Sequence, residues 1–167
     1  MPLLPVMTMP ERSDRSAGGH YGDVIETIDW SAGRILQELD ELGIDKSTLV
    51  VFTSDNGPWH NLPDRMLQAG NERWHTGNAG LLRGAKGSTY EGGLRVPGIF
   101  RWPSVIPKGR VSSEMASTID LLPTIAAAAG AKVSKKIDGY DILPFLKGES
   151  PSPRNEYYFS QSDFFEA

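Results

Sequence analysis

Apolar and polar positions along this chain fall into blocks of different period. From residue 23, Val24, Ile25, Ile28, Ala32, Ile35, Leu36, Leu39 and Leu42 recur at steps of three and four, which predicts an amphipathic helix over 23–42. Asp23 and Glu26 fall in its first turn, where carboxylates complement the helix dipole, and Gly43 stands where a left-handed stop belongs. After a short connection the period vanishes. Residues 48–54 form a near-continuous apolar run, β-branched at Val50 and Val51, of the kind that suits a strand buried on both faces of a parallel sheet.

That run ends abruptly in Asp55-Asn56-Gly57-Pro58. Ligands of open α/β sheets bind outside the carboxyl ends of the strands, so a carboxylate and an amide carbonyl placed there are candidate ligands for a hard cation. Asn-Gly is also a strong hairpin signal, but a hairpin needs a returning strand. The residues that follow, 59–78, are polar and show no period-2 alternation, which favours the ligand reading.

Beyond them comes a glycine-rich segment, Gly84-Ala85-Lys86-Gly87, continuing to Glu91-Gly92-Gly93-Leu94-Arg95. A second strand is predicted over 96–102, weakened by Pro97 and Gly98. A second helix is predicted from Ser117 or Thr118, carrying Ile119, Leu122, Ile125 and Ala129, stopped by Gly130, with Pro123 tolerated in its early turns. The first 20 residues, with prolines at 2, 5 and 10, read as irregular; Glu156-Tyr157-Tyr158-Phe159 reads as the start of a further strand.

Composition narrows the partners. At 167 residues the chain is long enough to bury a core. A net charge of −4 without a basic, aromatic-rich stretch argues against nucleic acid. With no cysteine, a disulfide framework and a thiolate metal site are both excluded. No apolar run approaches membrane-spanning length, so no membrane partner is expected, and Met1-Pro2-Leu3-Leu4-Pro5-Val6 is too short and proline-broken for a signal peptide. The compartment stays open.

Tyr21-Gly22-Asp23, Asp55-Asn56-Gly57-Pro58, Gly84 to Pro97 and Asp120-Leu121-Leu122-Pro123-Thr124, in that order, resemble the later half of a sulfatase of the arylsulfatase type. The resemblance implies a partial alkaline-phosphatase-like α/β fold, a mostly parallel sheet flanked by helices, and hydrolysis of sulfate esters. It divides the chain into an irregular segment 1–20, part of a catalytic α/β domain over 21–131, and a connection 132–167 toward a further subdomain. Residue by residue it makes Asp55 and Asn56 metal ligands for Ca2+, with Mg2+ as the alternative ion, and Lys86 the lysine that contacts sulfate. The family is often periplasmic or secreted.

The residues themselves leave room for plainer roles. A phosphate-binding P-loop fails around Lys86, because Ala85 precedes it and Gly87 follows where Gly and Ser or Thr are needed. A nucleic-acid backbone clamp fits only two glycines and meets an acidic chain; a solvated loop lysine is the remaining alternative. Glu91 and Arg95 are expected to form a structural pair. His75, beside Trp74 on the long loop, is a candidate substrate contact, against the plainer reading of a packed surface histidine. His60 beside Trp59 is similar.

The chain also departs from the family. The nucleophile there is a formylglycine made from Cys or Ser in a Cys/Ser-Xaa-Pro-Xaa-Arg segment; the nearest string here, Ser150-Pro151-Ser152-Pro153-Arg154, has Ser where the central Pro is required. Leu3 stands where many members carry a histidine placed to protonate the leaving alcohol. Two recognisable ligand residues fall short of the six to eight oxygens that Ca2+ takes. The expectation is therefore a sulfuric ester hydrolase whose formylglycine is supplied by an N-terminal part, this chain alone being inactive and prone to self-association. The alternatives are a phosphate or phosphonate ester hydrolase of the same superfamily and a non-catalytic remnant. The expected partner is a sulfate ester, and whether it is an aryl sulfate, a sulfated sugar or a polysaccharide stays open.

Overall fold

A computed structural model of the chain describes residues 8–60, 63–64, 67 and 70–158. The chain divides into two compact units, Met1–Ile99 and Phe100–Ala167. Leu3 lies outside the described residues.

In the first unit α1 runs Gly19–Glu41, beginning four residues before the apolar period predicts. The period could not mark this start, because Gly19, His20, Tyr21 and Gly22 carry no apolar repeat. Asp23 is consequently not a first-turn dipole residue. It is 1% exposed, and its carboxylate accepts the backbone N–H groups of Asp14, Arg15 and Ser16 at 2.8, 3.0 and 2.8 Å. Burial alone would raise its pKa; these three donors, with the nearby His20, outweigh burial and hold it below the usual carboxylate range. The segment before α1 is thus tied down by Asp23, and contains a 3-10 turn at Pro10–Arg12 whose Arg12 guanidinium stacks 3.8 Å over Trp30.

At the far end Gly43 has φ +69°, the left-handed conformation expected of the stop. A 3-10 turn, Asp45–Ser47, leads into β1, Val50–Thr53, which pairs with β2, Gly98–Arg101, in a two-stranded sheet. β1 is not buried on both faces as its composition predicts: Val50 and Val51 are half-buried, Phe52 and Thr53 exposed. One neighbouring strand cannot cover both faces. The apolar side of α1 is likewise only partly covered. An open groove of about 650 Å³ runs along it, lined by Met9, Val24, Ile28, Ala32, Ile35 and Phe52. Among the described residues no helix is long and apolar enough to cross a membrane.

In the second unit a 3-10 turn, Thr118–Asp120, runs into α3, Leu121–Ala128, with Ser117 at the N-cap as predicted and Gly130 at φ +69° beyond its end. α4, Leu143–Lys147, follows. The core of this unit is Ile142, Phe145 and Leu146, with Phe100 and Ile106 packed on it. Residues 156–158 are irregular, not the start of a strand, and Phe159 lies outside the described residues.

Candidate functional site

Asp55 and Asn56 follow β1 directly, and Lys86 sits on a turn 30 residues further along the chain, yet backbone bonds hold these segments together. The Gly57 N–H donates to Gly93 O at 2.9 Å, and the Lys86 N–H donates to Pro58 O at 2.9 Å. The approach is so close that a Cβ on Gly57 would lie 1.9 Å from the Gly92 carbonyl oxygen. Gly92 and Gly93 belong to α2, the single turn Glu91–Leu94, and both are buried against the lysine turn. A Cβ on Gly92 would lie 2.3 Å from Gly84 O, and one on Gly93 would lie 2.4 Å from Ser88 O. Three glycines therefore clamp the end of β1, α2 and the lysine turn into one backbone assembly. The sequence marks the segment around Lys86 as glycine-rich; that Gly57 belongs to the same contact has no local signal.

The turn itself is closed by Ser88. Its hydroxyl donates to Ala85 O at 2.8 Å, the Ser88 N–H donates to the same oxygen at 3.0 Å, and Ala85 is buried. Arg83 stacks 3.9 Å over Tyr90, bracketing the turn from outside. Glu91 and Arg95 form the i,i+4 ion pair that the sequence suggested, at 3.2 Å and well exposed.

Lys86 Nζ lies 5.7 Å from the centroid of the Trp59 ring. Asp55 is exposed, and its pKa is lowered: partial desolvation works to raise it, but its own N–H, the Asn56 N–H and the Lys86 charge prevail. An ionised carboxylate that feels the Lys86 charge has the chemistry to hold a cation. The Asn56 side-chain N–H donates to Gly57 O at 2.8 Å, so Oδ1 is the amide atom with ligand chemistry. In kind these oxygen donors fit a hard cation, and in number two residues are fewer than the six to eight oxygens that Ca2+ takes.

His75 is placed by other contacts. Its ring packs 4.1 Å from Trp74 and 5.6 Å from His20, Nδ1 accepts the Glu72 N–H at 3.0 Å, and a Cβ on Gly19 would lie 2.0 Å from Nε2. The structure thus seats His75 on the start of α1. Tyr21 links this region to the clamp: a Cβ on Gly77 would meet the Tyr21 hydroxyl at 2.6 Å and Pro58 at 3.1 Å, and burial raises the Tyr21 pKa. Asp14, His20 and Asp23 bring ligand atoms within 4.8 Å of one another. Because the Asp23 oxygens take three backbone N–H groups, that cluster is a loop anchor.

A family model described as Sulfatase matches residues 8–131. Steryl-sulfatase of Mus musculus is 42% identical over 153 residues, 90% of this chain and 24% of that protein. Arylsulfatase A of Homo sapiens is 41% identical over 151 residues, 90% of this chain and 28% of that protein. The chain spans about a quarter of the length of these curated relatives. Among solved structures, PsFucS1 sulfatase from Pseudoalteromonas sp. matches with TM-score 0.73 at 29% identity, over 86% of this chain and 28% of that one. Ps i-CgsB in complex with k-i-k-neocarrahexaose matches with TM-score 0.71 at 33% identity, over 90% of this chain and 32% of that one.

Proposed function

Because the chain belongs to the sulfatase family, with the alkaline-phosphatase-like fold of its structural neighbours, we propose that it forms the metal- and sulfate-contacting part of an enzyme that hydrolyses a sulfate monoester. The observation that carries this reading is the glycine clamp, which brings Lys86 to the Asp55-Asn56 end of β1 through backbone bonds alone. In this reading residues 21–131 are catalytic and 132–167 lead toward a further subdomain.

Asp55 and Asn56 are metal ligands. A bound Ca2+ would supply fixed positive charge against the sulfate oxygens. Asp55 stays ionised down to low pH, so its ligand charge persists across the neutral range. Lys86 donates N–H bonds to a sulfate oxygen and stabilises the charge that gathers there as the ester S–O bond breaks. His75, on the long loop between the Asp55-Asn56 motif and Lys86, is a substrate contact. The nucleophile, a formylglycine in this family, is not encoded in these residues, and the chain alone does not turn over an aryl sulfate. A sulfated sugar is the substrate class, supported by the carbohydrate held by the Ps i-CgsB relative.

Calcium titration of the purified chain, followed by calorimetry, tests the metal assignment. Asp55→Ala should remove the binding that wild type shows, and Lys86→Ala should leave it. In a complete enzyme containing this segment, Lys86→Ala should lower kcat with metal content intact. Unchanged metal content and rate in Asp55→Ala would sink the assignment.

A further inference from the structure

Lys86 poses a problem that the proposed function leaves open. A lysine is a compact, strongly hydrated charge on a flexible four-carbon stem, and the Asp55 carboxylate is near enough for its pKa to feel the Lys86 charge. Left to itself, such an ammonium tends to collapse onto the carboxylate. That would commit N–H donors needed for the sulfate and neutralise a metal ligand. Among the described residues Lys86 forms no ion pair; its ammonium instead lies over the face of Trp59, 5.7 Å from the centroid.

We infer that Trp59 is a positioning residue for Lys86, holding its ammonium at the end of β1 without consuming the donors that sulfate takes. The inference rests on the reading of Lys86 as the sulfate contact. An aromatic face attracts a cation through its quadrupole, within about 6 Å, but accepts no conventional N–H bond and cancels no charge. It therefore orients the ammonium and leaves its three donors for a tetrahedral anion, which no acidic partner could do. The backbone makes the pairing specific. Trp59 is the residue after Pro58, whose carbonyl oxygen takes the Lys86 N–H at 2.9 Å, so ring and ammonium spring from the two sides of one hydrogen bond. That bond is itself part of the glycine clamp, and the ring is half-buried.

Two measurements on the full chain test it. Reductive 13C-dimethylation keeps the lysine charge, and the Lys86 methyl signal, assigned through Lys86→Arg, should be shifted upfield by the Trp59 ring current in the wild-type chain. Trp59→Leu should abolish that shift and Trp59→Phe should keep part of it. Calorimetric titration with inorganic sulfate on unmodified protein should show binding lost in Lys86→Ala, weakened about two- to fivefold in Trp59→Leu, and largely restored in Trp59→Phe. A wild-type Lys86 signal without an upfield shift overturns the inference and needs no variant to fold. Sulfate affinity unchanged in Trp59→Leu but lost in Lys86→Ala also overturns it, while leaving the role of Lys86 intact. Sulfate binding indifferent to Lys86→Ala overturns both.

Discussion

Asp55 in the first unit and Asp120 in the second are both carboxylates with lowered pKa, and they are held ionised by opposite means. Asp120 is completely buried. Burial works to raise its pKa, but Arg154 grips it through two N–H groups at 3.0 and 2.5 Å, and the Tyr140 and Ser117 N–H groups add bonds at 2.9 and 2.8 Å. Arg154, pushed up by the same pairing, is itself buried and also donates to Asp138 O. Asp55 by contrast is exposed and shaped by backbone N–H groups and a lysine. The difference separates a carboxylate buried in holding a fold from one at the surface, which on the proposed reading serves a metal ion. Where four protein donors converge on a buried carboxylate, as at Asp120, the charge is structural.

Breaking the buried side of this contrast should have the largest effect. Asp120→Ala strands the Arg154 charge without a partner and should destabilise the second unit by about 3–5 kcal/mol, read by urea denaturation. Acid should do the same more gently. Because the folded pKa of Asp120 is depressed, its contribution is fully present above the ordinary value of about 3.9 and is lost as pH falls through the lower folded value. Asp23 follows the same sign. Thermal unfolding as a function of pH should therefore show stability falling only below about pH 4, and Asp120→Asn should flatten that fall.

On the other side, the clamp resists small additions rather than charge loss. Gly92→Ala drives a methyl into the Gly84 and Arg83 carbonyl oxygens and should cost roughly 1–3 kcal/mol, with amide protection lost first at Gly57 and Lys86. Asp55→Ala should change stability by less than about 0.5 kcal/mol while removing Ca2+ binding, the pairing of outcomes that sharpens the contrast most. The smallest effect belongs to the exposed Glu91–Arg95 pair, where Glu91→Gln should cost at most about 0.5 kcal/mol and fade with salt.

How much of this the sequence disclosed depends on whether the signal was local. β1 and its Asp-Asn terminus were legible because a short apolar run stops at once in oxygen donors. The stops at Gly43 and Gly130 were legible because a left-handed residue there has few substitutes. The start of α1 was missed because the first helical turn has no apolar period, and the burial of β1 was overstated because composition describes a strand's preference and not its neighbours. The Asp120–Arg154 network was invisible for a different reason: its charges lie 34 positions apart. Ser150-Pro151-Ser152-Pro153-Arg154 drew attention only as a failed nucleophile motif, yet it supplies both Arg154 and Ser152, whose N–H donates to Glu114 at 2.7 Å. His75 was singled out for its place on the loop, and nothing nearby in sequence told of its seat against Gly19 and His20.

The loop that leaves at Pro58 returns at Lys86 to bond the very residue it left. Such a closed excursion separates inheritance of chemistry from inheritance of taste. Between those anchor points, residues can be inserted, deleted or exchanged while the end of β1 and the lysine turn keep their spacing, since that spacing is set by main-chain bonds and bare glycines. A lineage built on this plan can change what the loop touches by rewriting the positions between Pro58 and Lys86, and the backbone clamp does not have to be invented again.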